Sequence, residues 1–462
     1  MRQWMVAAKK ADFYAIAEKF HVDPVVARII RNREVIGEKN IRIYLGGNLS
    51  DLSDPHQMKD MDRLVEILAQ KIRKQVHIRI IGDYDVDGVT SSHLFLTALR
   101  RVGAKVDVVI PHRIQDGYGL SLHLLQQAKE DGVDTILTCD NGIAAIDEIA
   151  WAKAQKMTVL VTDHHAVPFE EHEGRRTEKK SLADAVVNPH QQDCGYPYKE
   201  LCGAGVAWNV IRVLYENYDM DKREAEDLLD FVAMATVCDV MSLTGENRIL
   251  VKEGLKRIRH TKNIGLQALM QACNVQPENI SAYHFGYVLG PCVNATGRLD
   301  TARHALRLFE TGQETEAEEI ARDLVDLNQE RKELTLQGVE MAKKLCEEGG
   351  YENDPVLVLF LPDVHESIAG LIAGRIREMY NRPVFVLTRG EEGVKGSGRS
   401  TENYSMYENM CGCAELFTKF GGHPMAAGLS LPEENVEKFR TFLNEHTTLT
   451  EEDFIPKITI DV

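Results

Sequence analysis

The sequence lacks any apolar run near the roughly 20 residues that a membrane-spanning helix requires. Its N-terminus, MRQWMVAAKKADF, also lacks the apolar core of a secretory signal peptide. These absences predict a cytoplasmic protein without a membrane partner. The nine cysteines are scattered, and the one close pair, Cys411 and Cys413, has no second pair with which to form a zinc site. We therefore expect reduced, structural thiols.

Positive charge is also scarce, because 54 lysines and arginines stand against 71 aspartates and glutamates, for a net charge of −17. This balance argues against non-specific attraction to membranes or duplex DNA. It does not exclude an enzyme that acts on nucleic acid, because a local basic groove and bound metal ions can reverse the field where it matters. At 462 residues the chain is long enough for roughly two to three domains.

The first half of the chain changes its pattern at Val76. Residues 1–75 read as polar and helical and predict an N-terminal cap. After them, short β-rich runs alternate with amphipathic segments; the runs are VHIRIIG, KVDVVIP, DTILTCD, MTVLVTD and ADAVVNP. This alternation predicts an α/β domain over residues 76–310, with a mostly parallel sheet and helices on both faces. Ligand sites in such sheets lie beyond the carboxyl ends of the strands.

The second half begins with a charged segment over residues 311–350, whose apolar positions predict one long connecting helix. A coiled coil is the weaker interpretation, because Asn328 and Arg331 interrupt the apolar seam. Residues 351–450 return to an α/β pattern, with the runs VLVLFL and RPVFVLT and the glycine-rich segments GSGRS and FGGH. A second, smaller α/β domain is therefore expected.

Three acids, Asp83, Asp85 and Asp87, alternate directly after the first of these runs in the sequence IIGDYDVDG. Side chains two apart on an extended segment point the same way, so these acids predict a convergent cluster. Their mutual repulsion would be costly without a cation, and a hard divalent ion is the natural one. D-x-D and D-G pairs are equally typical of solvated turns with Asx hydrogen bonds, and the triplet alone does not decide between the two.

Further candidate ligands follow other predicted strands. Asp140 ends one run, and Asp163 ends another and is followed by His164 and His165. Asp239 follows an apolar helical segment, where an unpaired carboxylate is costly. Strand ends of one parallel sheet meet at one edge, so these residues together favour a metal site over a set of unrelated surface positions.

At this point the motifs resemble a known superfamily. DYDVDG, CDNG, TDHHA and ATVCDV are similar to the four metal motifs of the DHH phosphoesterases. CGAGVAWNVI, GPCVNATGRLDTA, GSGRS and FGGHPMAAG resemble the RecJ branch of single-stranded-DNA exonucleases. The resemblance covers roughly residues 25–431, and it implies 5′→3′ hydrolysis of single-stranded DNA to mononucleotides, in DNA repair and recombination. Single-stranded nucleic acid, with DNA preferred, and repair or replication proteins are the implied partners.

The resemblance also implies roles for individual residues. Two Mn²⁺ or Mg²⁺ ions would be held by six ligands, with Asp140 as the bridge; they are Asp83, Asp85, Asp87, Asp140, His164 and Asp239. His165 would lie close to the scissile phosphate, and the catalytic set would be His165, Asp140 and Asp83. Mixed imidazole and carboxylate ligands suit Mn²⁺ better than Ca²⁺. Two such ions supply both a nucleophile and stabilisation of the leaving oxygen.

The substrate-binding residues are expected mainly in the second domain. They are Ser397, Arg399, Ser400, Gly421, Gly422 and His423, together with Asn294 and Arg298 near the metals. Glycine lets a backbone approach phosphate closely, and an arginine fork can bind it in a bidentate manner. The plainer interpretation of these glycines is that they form turns. A cleft with metals on one wall and phosphate-binding groups on the other is the arrangement that follows.

Two alternatives remain open. Short-oligonucleotide and cyclic-dinucleotide phosphodiesterases of the superfamily carry a histidine four residues before the D-x-D pair, where this chain has Ile81 and supplies Asp83 instead. An inactive scaffold in a replication or repair complex is disfavoured because every metal ligand is retained. The chain departs from the RecJ pattern at Cys292, where an arginine is usual, and beside His365, where Glu366 and Ser367 follow. Residues 451–462 are expected to begin the further, OB-fold module of that branch.

Overall fold

The computed structural model of the chain describes residues 2–7, 9–113, 116–117, 119–172, 175–390 and 393–462. Its contacts divide the chain into two compact units. One unit is Arg33–Asn328, and the other combines Met1–Asn32 with Gln329–Val462. The segment expected to form a single cap over residues 1–75 is therefore divided between the two. None of the helices in the described ranges combines the length and the apolar character needed to cross a membrane.

The secondary structure alternates strands and helices in both units. The strands are β1 (Gln3–Val6), β2 (Ile78–Ile81), β3 (Val106–Val109), β4 (Thr135–Cys139), β5 (Thr158–Thr162), β6 (Phe169–His172), β7 (Arg175–Glu178), β8 (Ala185–Val187), β9 (Leu357–Phe360), β10 (Val384–Gly390), β11 (Gly393–Arg399), β12 (Lys419–His423), β13 (Ala426–Leu431) and β14 (Lys457–Ile460).

The α-helices are α1 (Phe13–Phe20), α2 (Pro24–Asn32), α3 (Glu38–Gly46), α4 (Met61–Arg73), α5 (Val86–Arg101), α6 (Leu122–Glu130), α7 (Ile146–Ala154), α8 (Gly203–Asn217), α9 (Lys222–Glu226), α10 (Leu229–Cys238), α11 (Gly245–Arg257), α12 (Ile264–Ala272), α13 (Ala282–His284), α14 (Gly290–Leu299), α15 (Arg303–Glu310), α16 (Glu314–Gly349), α17 (Ala369–Tyr380), α18 (Met406–Cys411) and α19 (Val436–His446).

The sheet of the unit Arg33–Asn328 has the order β3-β2-β4-β5-β8, and every neighbouring pair is parallel. Successive side chains on a strand point to opposite faces, so Ile80 and Leu137 pack on one face with α4, α5 and α8. Ile81 and Ile136 pack on the other face with α6 and α7. The predicted parallel sheet with helices on both faces is confirmed, and both faces are buried, as such sheets require.

The sheet of the other unit has the order β12-β13-β11-β10-β9, in which β9 and β10 are parallel and the other pairs are antiparallel. One face buries Leu359 and Val386 with side chains of α16 and α17. The other face buries Phe385 with side chains of α18 and α19. The second α/β domain is confirmed, and the single helix α16 lies between the two sheets along the chain.

The two chain ends meet within this unit. Strand β1 pairs in parallel with β14, so that Gln3 lies opposite Lys457 and Val6 lies opposite Ile460. The last residues, which were expected to begin a further module, therefore pair with the first strand of the chain.

Candidate metal centre and substrate-binding strands

The acidic loop of the motif IIGDYDVDG joins β2 to α5. Strand β2 ends at Ile81, and Asp85 is the N-cap of α5, where its Oδ1 accepts a hydrogen bond from the Gly88 amide at 3.0 Å. Asp87 therefore lies in the first helical turn. The expectation that three acids on one extended segment reach a single point is wrong, because N-capping by Asp85 turns the chain into a helix.

Asp87 is held by the N-terminus of α8. Its Oδ2 accepts from the Gly203 amide at 2.6 Å and its Oδ1 from the Ala204 amide at 2.8 Å. A helix N-terminus presents unpaired amides and a partial positive charge, which stabilise a buried carboxylate. A side chain at position 203 would place its Cβ 2.6 Å from the Asp140 Cβ, so glycine is required there. The sequence showed the motif CGAG but not this role.

Asp140 directly follows β4, is 2% exposed, and has a left-handed backbone with φ of 62°. The next residue, Asn141, donates from Nδ2 to the carbonyls of Ile81 at 3.1 Å and Cys139 at 2.9 Å. These two bonds tie the end of β4 to the end of β2. Asp140 is thereby held close to the acidic loop.

The triplet Asp163, His164 and His165 follows β5, and its first member has a supporting role. Asp163 is 1% exposed; its Oδ1 accepts from the amides of His164 at 2.7 Å and His165 at 3.0 Å, and its Oδ2 from the Ile143 amide at 2.8 Å. The same Oδ1 lies 2.8 Å from the Nδ1 of His165. Asp163 therefore shapes the loop and orients the His165 ring, which the sequence did not predict.

Asp163 and His165 each shift the pKa of the other toward its charged form. Burial raises the pKa of Asp163, but the hydrogen bond and charge of His165 and the hydrogen bonds from backbone amides together outweigh it and hold that pKa below its ordinary value. Burial lowers the pKa of His165, but the hydrogen bond and the charge of Asp163 outweigh it and raise the pKa to about 9. The side chain of His165 is 43% exposed, so the ring is oriented by Asp163 and still reaches the surface.

The structure brings together all six predicted metal ligands. Their ligand atoms fall into two groups whose members lie within 4.8 Å of one another; the groups are Asp83, Asp85 and Asp140, and Asp87, His164 and Asp239. A third such group, Asp140, His164 and His165, takes one member from each of these two and adds His165. The Nε2 of His164 is 3.0 Å from Asp140 Oδ1, and it is 3.6 Å from Asp87 Oδ2 and 3.7 Å from Asp239 Oδ2. The result is two adjoining ligand groups that meet at Asp140 and His164.

The electrostatics of these groups are those of carboxylates held together against their repulsion. Burial first, and then neighbouring carboxylates, raise the pKa of Asp83 and Asp140 well above the ordinary value. The same causes raise the pKa of Asp85, and they raise that of Asp239 to about 8. Burial lowers the pKa of His164, which favours the neutral imidazole that binds metals.

Among the buried atoms of these groups, Asp83 Oδ1 and His164 Nε2 make no contact with hydrogen-bond geometry to the described residues. Such atoms are costly unless something binds them. Clustered carboxylates with an imidazole suit divalent ions such as Mn²⁺ or Mg²⁺. The residues present therefore fit a centre for such ions.

Asn294 and Arg298 are the two substrate-binding residues expected near the ligand groups, and Asn294 forms a hydrogen bond within the protein. Both residues lie on α14, where the Asn294 Oδ1 accepts from the Val86 amide at 3.1 Å and so supports the start of α5. Arg298 is half-buried one turn further along the same helix. Cys292 is 2% exposed, and its Sγ lies 3.8 Å from the Cys273 Sγ and 3.4 Å from the Asn328 Nδ2. Cys292, which stands where the RecJ pattern usually has an arginine, is therefore a core residue.

The expected phosphate-binding residues of the second sheet share one face. Across the neighbouring strands β11, β13 and β12, Arg399, Ala426 and His423 lie side by side. Two residues further along each strand, Ser397, Gly428 and Gly421 also lie side by side. Directly paired residues of antiparallel strands project to the same face. A Cβ built at Gly421 or Gly428 meets no described atom within 4 Å. Between Ser397, Arg399 and His423 this face therefore exposes backbone atoms, and we call this glycine surface the glycine floor.

Two expected residues are used internally. Ser400 is 1% exposed and donates its hydroxyl to the Tyr404 carbonyl at 2.5 Å. Gly422 has a φ of 151°, and a Cβ there would lie 2.4 Å from the Ala426 carbonyl. In the segment that departs from the RecJ pattern, the Glu366 carboxylate pairs with the Lys395 Nζ at 2.9 Å. Lys395 alternates with Ser397 on β11, so this ion pair lies beside the floor.

Comparison with known proteins first defines the class. Residues 77–236 match the DHH family, N-terminal domain, and residues 353–448 match the DHHA1 domain. The fold and the ligand groups thus define a protein of the DHH class with a DHHA1 domain. These matches include the acidic loop, Asp140, the triplet at Asp163 and the glycine floor.

The relatives then define the family. The single-stranded-DNA-specific exonuclease RecJ of Bacillus subtilis is 35% identical over 452 residues, which is 97% of this chain and 56% of that protein. The RecJ of Haemophilus influenzae is 36% identical over 440 residues, which is 91% of this chain and 74% of that protein. The chain belongs to the RecJ single-stranded-DNA-specific exonuclease family.

Solved structures agree with this assignment. A crystal structure of RecJ from Thermus thermophilus in complex with Mn²⁺ matches with a TM-score of 0.83 at 28% identity, over 99% of this chain and 64% of that one. A crystal structure of exonuclease RecJ bound to manganese matches with a TM-score of 0.73 at 31% identity, over 86% of this chain and 96% of that one. The chain thus spans about six-tenths of the Bacillus and Thermus relatives.

Proposed function

We propose that the chain hydrolyses single-stranded DNA from the 5′ end to mononucleotides, in a reaction that depends on Mn²⁺ or Mg²⁺. The observation that carries the proposal is the pair of adjoining ligand groups that meet at Asp140 and His164. RecJ relatives are named for action on single-stranded DNA, and RecJ structures contain Mn²⁺ or Mg²⁺. Such an activity would serve DNA repair and recombination.

Each ligand group would hold one ion. Asp83 and Asp85 would hold the first, Asp87, His164 and Asp239 would hold the second, and Asp140 would serve both. When bound, the ions activate a water for attack and stabilise charge on the phosphate. Asp83 Oδ1 and His164 Nε2, which are buried and make no contact with hydrogen-bond geometry to the described residues, would gain a partner.

His165 would act on the substrate from beside the ligand groups. Its Nδ1 is held by Asp163, which fixes the ring, and the ring remains 43% exposed. A protonated imidazole in this position would stabilise negative charge on a phosphate oxygen. Asp163 would therefore act as a positioning residue, through the ring of His165.

The face of the second sheet would bind the sugar–phosphate backbone. Ser397, Arg399 and His423 offer donors around a floor without side chains at Gly421 and Gly428. Arginine can bind phosphate with two parallel hydrogen bonds. A floor of backbone atoms lets the strand approach more closely than side chains would allow.

Position 81 supports the exonuclease over the phosphodiesterases of small nucleotides. Those relatives carry a histidine where this chain has Ile81, and Ile81 is fully buried in the sheet core. Asp83, which lies beyond the end of the strand and within 4.8 Å of Asp85 and Asp140 by its ligand atoms, would supply the ligand atom instead. The retained ligand set likewise supports an active enzyme over a scaffold.

The test is an assay with 5′-labelled and 3′-labelled single-stranded DNA, RNA and dinucleotides, each with Mn²⁺ or Mg²⁺. We expect mononucleotides released from the 5′ end of DNA. His164→Ala should abolish the activity, whereas His123→Ala, a change at a 63% exposed side chain, should not alter it. Release from the 3′ end, or hydrolysis of dinucleotides alone, would contradict the proposal.

A further inference from the structure

Two exposed tyrosines, Tyr283 and Tyr287, lie on a helical segment that packs against Cys238, the residue before Asp239, and they belong to none of the motifs described above. Tyr283 is 62% exposed and Tyr287 is 73% exposed. Their rings stack, with centroids 5.1 Å apart and planes 22° apart. A pair of large aromatic rings left open to solvent is a feature that calls for a partner.

The local backbone holds the pair beside Asp239. Between α13 and α14, residues Phe285–Leu289 form a π-helical turn, which is rare and frequent at functional sites. This turn packs on the end of α10, because the Cys238 Sγ donates to the Phe285 carbonyl at 3.3 Å. A Cβ built at Gly286 would lie 3.4 Å from the Val237 Cγ1. Asp239, a candidate ligand, is the next residue after Cys238.

The same helical run leads from the tyrosines to the acidic loop. Tyr287 lies in the π-helical turn, which continues directly into α14 with Asn294 and Arg298. Asn294 binds the Val86 amide at the start of α5, between Asp85 and Asp87. Seven residues of helix rise about 10 Å. The pair therefore lies on a helical run that packs on Cys238 at one end and binds the start of α5 through Asn294.

We propose that Tyr283 and Tyr287 form a stacking platform for the bases of single-stranded DNA next to the ligand groups. The proposal rests on the proposed function and adds to it a means of holding the strand. Aromatic side chains bind bases of any sequence through their π faces. Stacking needs no positive charge, which suits a chain with a net charge of −17.

A purely structural role would give different consequences. An aromatic pair four residues apart on a helix stabilises that helix slightly, whatever binds beside it. A platform instead makes binding depend on the bases of the substrate. The two roles are separated by a substrate that keeps the sugar–phosphate backbone and lacks the bases.

The experiment compares the unaltered chain with Y283A/Y287A and Y283F/Y287F, all with Mn²⁺. KM and kcat are measured on a 12-residue oligothymidylate, on an abasic oligomer of equal length, and on thymidine 5′-(p-nitrophenyl phosphate). Tyr14→Ala, at a 79% exposed tyrosine of the other unit, is the matched control. Stacking on aromatic side chains predicts a KM for oligothymidylate at least roughly fivefold higher in Y283A/Y287A.

We expect Y283F/Y287F and Tyr14→Ala to behave like the unaltered chain. The KM of Y283A/Y287A for the abasic oligomer and its kcat on the nitrophenyl ester should stay within about twofold. An unchanged KM for oligothymidylate, or an equal rise on the abasic oligomer, would overturn the platform while leaving the proposed function intact. Absence of hydrolysis by the unaltered chain would overturn the proposed function, and the platform with it.

Discussion

Asp140→Asn should remove most of the stabilisation that Mn²⁺ gives the protein and should not destabilise the metal-free protein. Asp140 is buried beside Asp83, Asp85, Asp87 and Asp239, and burial and these carboxylates raise its pKa. An asparagine of the same shape cannot ionise and adds no repulsion at any pH, so the metal-free melting temperature should stay the same or rise. It also removes the ligand at which the two groups meet.

The size of the effect follows from ligand linkage. An ion present at a hundredfold excess over its dissociation constant adds about 2.7 kcal/mol to the free energy of unfolding. For a large domain this corresponds to a rise in melting temperature of roughly 5 °C per ion. Asp140→Asn should lose more than half of the rise, and Asp227→Asn, at a side chain 66% exposed, should keep all of it.

The rise in melting temperature that Mn²⁺ causes should also be larger at higher pH. The metal-free folded protein holds a proton on Asp239 up to about pH 8, whereas the unfolded chain releases it near pH 4. Between these values the folded state binds more protons, so the free energy of unfolding falls as pH rises. Ions must displace those protons, and their apparent affinity therefore increases over the same window.

Thermal denaturation at pH 6 and pH 8, with EDTA or with MnCl₂, measures all of these effects. The unaltered chain should gain more from Mn²⁺ at pH 8 than at pH 6. A full Mn²⁺ response in Asp140→Asn would refute the reasoning. A large drop in its metal-free melting temperature would refute the assignment of repulsion within the cluster.

The other predictions concern residues around the ligand groups and on the second sheet. Asp163→Asn should lower the pKa of His165, because it removes the carboxylate that raises it, and should lower kcat at neutral pH with little change in KM. Arg399→Ala and His423→Ala should each raise KM for single-stranded DNA, and neither should change the Mn²⁺ response. Gly421→Val should also raise KM, because its side chain would cover the floor where a Cβ meets no described atom.

Matched controls make these results specific. Lys438→Ala, at an exposed position of α19, should leave KM unchanged. The pKa of His165 can be followed by NMR in the metal-free protein, and an unchanged value in Asp163→Asn would contradict the role given to Asp163. A lost Mn²⁺ response in Arg399→Ala would contradict the division between metal ligands and substrate-binding residues.

Strand ends were the part of the site that the sequence predicted best. Apolar runs that end in Asp140 and Asp163 place these residues at one edge of a parallel sheet, and the register of β4 and β5 agrees. The acidic triplet was harder, because alternation along a strand predicted one cluster. N-capping by Asp85 instead sends Asp87 to a different ligand group.

Contacts between distant segments could not be predicted from local pattern. The two amides at the start of α8 that hold Asp87 come from residues more than a hundred positions away. The hydrogen bonds of Asp163 depend on how the loops after β4 and β5 come together. Pairing of β1 with β14 joins the two ends of the chain, and neither strand carries a signal for the other.

The most direct test of the central claim is the anomalous scattering of Mn²⁺ in crystals of this chain. Two peaks are expected, one among Asp83, Asp85 and Asp140 and the other among Asp87, His164 and Asp239. A single peak, or peaks away from these residues, would contradict the account of two adjoining ligand groups that meet at Asp140 and His164.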